Sequence, residues 1–234
     1  MFNRQSHSMK LFTKQNILFI LIFAVLGFLA LQVPVAQLAG SKAKFTLFDA
    51  FGPLAGAFIS SLPGVIAVFL MQLANFLAHG AKIIDVGAVI RFFPMFFAVL
   101  YFARKSKWIV AVPIIAIIAW NMNPIGRSVW YFSLYWLIPV ACHFLRDRFL
   151  LARSLGATMT AHSVGGALWI WFFALPKAVW VALIPVVAAE RLMFAVGITL
   201  MYLVVSNVLA LLMKKRVLKL PFVIEEKYLV HFAK

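Results

Sequence analysis

The sequence predicts an all-α polytopic membrane protein, a bundle of about six to eight transmembrane helices. Of its 234 residues 65% are hydrophobic and only 12% charged, with a mean hydropathy of +1.02, whereas soluble domains are about 25% charged. A spanning helix takes about 20 residues, so the length holds that many crossings and leaves no room for a separate soluble domain. The 24 Phe and 7 Trp do not alternate with polar residues as transmembrane barrel strands require. Three regions are expected: a cytoplasmic N-terminus (1–14), a single transmembrane helical domain (15–213) and a basic cytoplasmic tail (214–234).

The first apolar stretch, Ile17 to Val33, follows Arg4, Lys10 and Lys14. It is longer than a usual signal-peptide core and lacks a small-x-small cleavage site, so an uncleaved first helix is expected. Apolar segments then run at 15–37, 47–60, 64–79, 86–103, 108–122, 129–145, 155–175 and 192–213, with a shorter piece at 178–189. Basic clusters punctuate them at Arg4/Lys10/Lys14, Arg104/Lys105/Lys107, Arg146/Arg148/Arg153 and Lys214/Lys215/Arg216/Lys219. The positive-inside rule places all four on the cytoplasmic side, which demands an even number of crossings between them.

Two segments separate each later pair of clusters. The first interval needs four, which it supplies only if 47–60 and 64–79 cross separately, turning around Ser60, Ser61 and Pro63. Charge parity thus selects eight crossings with both termini cytoplasmic; the membrane is expected to be a prokaryotic inner membrane. A 14-residue helix rises only about 21 Å, short of the hydrocarbon thickness of about 30 Å, so a re-entrant hairpin or one long helix over 47–79 stays open. The tail beyond Pro221 is expected to lie on the inner membrane surface or to be disordered.

With that topology Asp49, His79, Asp85, Arg91, Asn121, Asn123, Arg127, Tyr131, Glu190 and Arg191 fall in the outer half or at its rim. Charges within a bilayer are costly and face a bundle interior or a water-filled cavity. The simplest reading is an outward-open polar pocket; solvated loop ends are the bland alternative. Arg91–Glu190 and Arg191–Asp85 are candidate interhelical ion pairs, because the adjacent Glu190 and Arg191 project about 100° apart. Trp130, Tyr131, Tyr135, Trp169, Trp171 and Trp180 read as an interfacial belt or as a stacking wall for a flat solute, with Tyr131 and Tyr135 sharing a helix face.

His162 lies on a stripe with Thr158, Gly165 and Trp169, either as a hydrogen-bonded packing residue or as part of the pocket. The candidate binding set is therefore Asp85, Arg91, Asn121, Asn123, Trp130, Tyr131, Tyr135, His162, Trp169, Glu190 and Arg191. Gly52, Gly56, Ser60 and Gly64 repeat small residues every four positions, a helix-packing or partner-docking surface.

No metal site is expected, because His79, His143 and His162 start from different depths and no pair has helical ligand spacing. No phosphate loop, dinucleotide fingerprint or zincin motif is present, so neither a cofactor nor soluble-type enzyme chemistry is expected. Ser128 and His162, in GRSV and AHSVG, bring rhomboid proteases to mind. Ser128 sits at the outer start of its segment, whereas His162 lies seven residues, about 10 Å, from the inner start of the next, and a nucleophile and its base must lie within about 3 Å. A Cys142/His162 pair has no surrounding motif. The formal charge of +16 sits beside apolar segments, which points to the lipid bilayer and anionic headgroups rather than to nucleic acid.

The stretch FDAFGPLAGAFISSLPG (48–64), after a first helix and a short outer loop, resembles the Gly-Pro and small-residue region early in substrate-binding S components of energy-coupling-factor vitamin transporters. The resemblance implies a non-enzymatic membrane subunit that binds a small polar or heterocyclic, vitamin-like solute. It further implies a transmembrane coupling subunit and ATPases as partners. A membrane scaffold subunit and an intramembrane protease or hydrolase are the competing classes.

Overall fold

The first helix, α1 (Lys14–Leu31), starts where the Thr13 hydroxyl accepts the Asn16 N–H at 3.2 Å. The computed structural model describes residues 13–37, 44–58, 60–79, 86–103, 105–215 and 224–230. Apart from short turns these are helical, with one antiparallel hairpin, β1 (Pro34–Gln37) with β2 (Lys44–Thr46). The hairpin base is closed by the Leu47 N–H donating to Val33 O. The Thr46 N–H then donates to the Asp49 carboxylate at 2.9 Å, a carboxylate-to-N-terminus bond that starts α2 (Leu47–Phe51).

α2 passes into a 3-10 turn over Gly52–Gly56 in which every residue is buried. α3 (Ser61–His79) follows. Gly27 of α1 lies against Met71 and Gln32 donates to the Asn75 side chain, so contact positions advance together and α1 runs parallel to α3. The chain between them must therefore return, and 47–56 is that return. This corrects the uniform 14-residue segment expected over 47–60: it is a short helix continued by a 3-10 turn, whose rise of about 2.0 Å per residue covers more length than an α-helix.

The small-residue stripe makes this possible. A Cβ on Gly64 would lie 2.5 Å from Gly56 Cα, and one on Gly56 would lie 2.8 Å from Ala103 Cβ. Gly52 meets Met95 in the same way. Ser60 contributes its carbonyl, which accepts the Gly64 N–H at the start of α3. The stripe is consumed by packing inside the chain, with a Pro-containing turn instead of one continuous helix face.

α4 (Val86–Ala103) lies antiparallel to α3, since Phe69 meets Phe96 while Phe76 meets Phe92. α5 (Ala111–Met122), reached through a 3-10 turn at Lys107–Val110, leads back. The short α6 (Pro124–Ser128) is capped by the Asn123 side chain, which accepts the Ile125 and Gly126 N–H groups. A 3-10 helix over Trp130–Leu137 then runs into α7 (Ile138–Leu145).

α8 (Leu150–Phe172) packs antiparallel to α4, with Gly156 at Tyr101 and Gly165 at Pro94. α9 (Lys177–Lys214) is antiparallel to α8, through Thr199–Ser154 and Arg191–Thr158 hydrogen bonds. The described chain thus runs end to end eight times in alternating directions: α1, 47–56, α3, α4, α5, 130–145, α8 and α9.

α9 corrects the expectation of separate segments at 178–189 and 192–213. Its 38 residues form one helix about 57 Å long, continuous through Pro185, Glu190 and Arg191. Glu190 and Arg191 do not end it, since both residue types favour the helix. Ser61–Ala78 and Lys177–Lys214 are long and apolar enough to cross a membrane. Outward positions are apolar as well: Leu18, Leu21, Val25 and Leu29 of α1 and Leu192, Val196, Leu200 and Val204 of α9 are exposed. One end of the bundle gathers Lys14, Lys105, Lys107, Arg146, Arg148, Arg153, Lys214 and Lys215.

Candidate functional site

At the basic end, the last carbonyls of α4 have no partners within the helix. Two arginines satisfy them. Arg146 donates to Tyr101 O and Phe102 O, and Arg153 donates to Phe102 O at 2.6 Å and Ala103 O at 3.2 Å. Both are buried, with their guanidinium groups over the Tyr101 and Phe102 rings respectively.

Arg153 also pairs with Glu225, and residues 224–230 pack here: Asn207 bonds Tyr228 O and the Val230 N–H, and Lys227 donates to Asp147 O. Burial opposes the Glu225 charge, but Arg153 and Lys227 outweigh it and hold the carboxyl below its usual range. The hydrogen bond from Lys105, 2.6 Å long, holds Asp147 down as well. This region is a structural clamp; nothing in the sequence patterning distinguished Arg146 and Arg153 from solvated, orientation-setting charges.

The second polar centre lies in the interior. Arg191, buried near the middle of α9, donates to Thr158 Oγ1 of α8 at 3.2 Å and stands 3.6 Å from the Glu190 carboxylate. Its guanidinium lies over Phe45 of the hairpin and Phe194 of its own helix, at 5.2 and 4.9 Å, and Asp49 is near enough to act on its charge. Arg191 Nε has no hydrogen-bond partner among the described residues. The hairpin thus roofs a cell of one arginine, two carboxylates, a hydroxyl and two aromatic rings.

One turn along α8 from Thr158, His162 accepts the Trp136 indole N–H on Nδ1 at 3.0 Å and faces Phe132 at 5.9 Å. Trp136 and Phe132 belong to an aromatic box with Trp120 and Trp180. Phe132 stacks on Trp120 at 5.0 Å, and Trp136 and Trp180 meet the Trp120 ring edge-on. The indole nitrogens of Trp120 and Trp180 are buried without hydrogen-bond partners among the described residues. Trp120, Phe132 and Trp136 were not singled out by sequence, because inside apolar segments a ring that builds a box reads the same as one that fills a core.

The other predicted residues divide. Asn121 bonds Ile117 O and Ser133, and Asn123 caps α6 and donates to Ile170 O, so both hold together the turn at the end of α5 opposite the basic end. Tyr135 donates to Ile184 O, linking the 3-10 helix to α9. Trp130 and Tyr131 are exposed and Trp169 stacks on Phe173. Tyr131 and Tyr135 do not share a face, because in a 3-10 helix three residues, not four, complete a turn.

Arg91 is exposed and makes no ion pair with a described residue, so the expected Arg91–Glu190 pair is not formed; Glu190 pairs with its neighbour Arg191 instead, its long side chain bridging the angular offset. Asp85 lies outside the described residues. Gly52, Gly56, Ser60 and Gly64 belong to the internal packing described above.

Ser128 donates its hydroxyl to Ile125 O while His162 is engaged by Trp136, so the two do not form a nucleophile–base pair. Among the described residues, no three His, Cys, Asp or Glu side chains group to hold a metal. No protein family, curated protein or solved structure matches this chain.

Proposed function

We propose that the chain is a polytopic membrane protein that binds a small polar or heterocyclic solute in the cell around Arg191, without catalysing a reaction. The observation that carries this reading is the buried Arg191 with an unpartnered Nε beneath the hairpin, since a buried polar donor without a partner is costly unless something else satisfies it. Apolar outward faces, alternating traverses and a single basic end support a membrane-spanning bundle whose basic end is cytoplasmic. The hairpin then lies at the opposite, outer level, and a solute reaches Arg191 when Phe45 moves off its guanidinium. The described conformation is on this reading the closed one, its rings filling the space beside His162. The likeness of residues 48–64 to vitamin-transporter S components supports a binding subunit energised by a separate coupling subunit and ATPases.

The experiment is a thermal-shift screen of vitamins, nucleobases and amino-acid derivatives on the purified protein. A ligand at 100 times its dissociation constant adds about 2.7 kcal/mol, and Arg191→Lys, which keeps the charge but lacks an Nε, weakens that gain. The Glu190–Arg191 pair and the filled aromatic box favour a second reading, a scaffold subunit whose polar groups pair internally. No shift with any compound, together with unaltered stability of a larger complex in Arg191→Lys, selects the scaffold.

A further inference from the structure

An apolar groove of about 230 Å³ separates α1 from the last third of α9. Its floor is Phe19, Phe23 and Phe51, all buried, and its rims include Ile22 and Val208, which are exposed. It runs toward the basic end: Phe19 lies five residues from Lys14, and Leu212 lies two from Lys214 and three from Lys215. All three lysines are exposed and none makes an ion pair with a described residue. Of the described acids at this end, Asp147 is engaged by Lys105 and Glu225 by Arg153 and Lys227, and the exposed Glu226 pairs with none of the three lysines.

We propose that this groove holds an acyl chain of an anionic phospholipid whose headgroup is bound by Lys14, Lys214 and Lys215. An apolar slot takes a hydrocarbon chain because no polar group need be desolvated, and lysines within two helical turns of its lining residues attract a negative headgroup. The inference rests on the membrane reading of the chain but not on the solute reading.

The test reconstitutes the full chain in vesicles of equal phosphatidylglycerol and phosphatidylcholine, extracts it in mild detergent and counts retained lipid by native mass spectrometry. Phosphatidylglycerol is expected in about tenfold excess, falling toward parity in the surface variant Lys14→Gln/Lys214→Gln/Lys215→Gln. Phosphatidylglycerol carrying a photoreactive acyl chain is expected to label Phe19–Leu26 and Val204–Leu212. Equal retention of the two lipids, an unaltered preference in the triple variant, or labelling confined to other helices overturns the proposal. Release of the chain from vesicles by alkaline wash would instead defeat the membrane reading itself.

Discussion

Arg91 and Arg191 are both arginines within apolar sequence, and only their surroundings separate them. Arg91 is exposed on α4, so Arg91→Ala is expected to change stability by no more than about 0.5 kcal/mol, checked by unfolding in detergent. Arg191→Ala removes the buried member of the Glu190–Arg191 pair and leaves the half-buried Glu190 without its partner, and breaking a buried pair costs about 3–5 kcal/mol; the same assay reads it. Glu225 supplies a pH test. A carboxyl held below its ordinary 4.5 stabilises the fold above that value and loses the contribution as pH falls through its folded value. Protease cleavage within 224–230 should therefore be constant from neutral pH down to 4.5 and rise below it. Glu225→Gln should raise cleavage already at neutral pH, its cost held to about 1 kcal/mol by partial exposure.

At the scale of elements, the glycines sort by what a side chain would meet. Gly64→Ala drives a methyl into the Gly56 backbone, and overpacking of this kind costs about 1–3 kcal/mol. Gly165→Ala meets only Pro94 Cγ at 3.5 Å and gains helix propensity, so it is expected to be neutral or to stabilise by up to about 1 kcal/mol. Paired melting curves of the two variants check both. The same elements mark where sequence periodicity stopped being informative. A 3.6-residue period over 130–137 puts Tyr131 beside Tyr135, but the backbone there is 3-10. Tyr135 instead donates to α9 and Tyr131 is exposed, because the turn length depends on the packing of Trp120, Phe132 and Trp136 against neighbouring helices.

For the whole molecule, the alternation of eight traverses makes a topological prediction. In a Cys142→Ser background, cysteines replacing Ser106 and Lys214 should react from the same side of the membrane and one replacing Lys177 from the other. Reaction of positions 106 and 177 from one side would contradict the three traverses that separate them, α5, 130–145 and α8. Helical class, apolar surface and the grouping of basic residues at one end were legible in composition and order alone, because hydropathy and charge are properties of residues wherever they pack. The sequence also determined that Gly52, Gly56 and Gly64 allow close approach, since only the lack of a side chain is needed for that. Tertiary structure alone decided that Gly52 and Gly56 meet α4 while Gly64 meets the Gly52–Gly56 turn, that Arg146 and Arg153 cap the α4 carbonyls, and that Arg191 rather than Arg91 is enclosed. Those outcomes depend on which helices become neighbours and at what register, and contacts between residues more than 40 positions apart leave no local periodicity from which to read them.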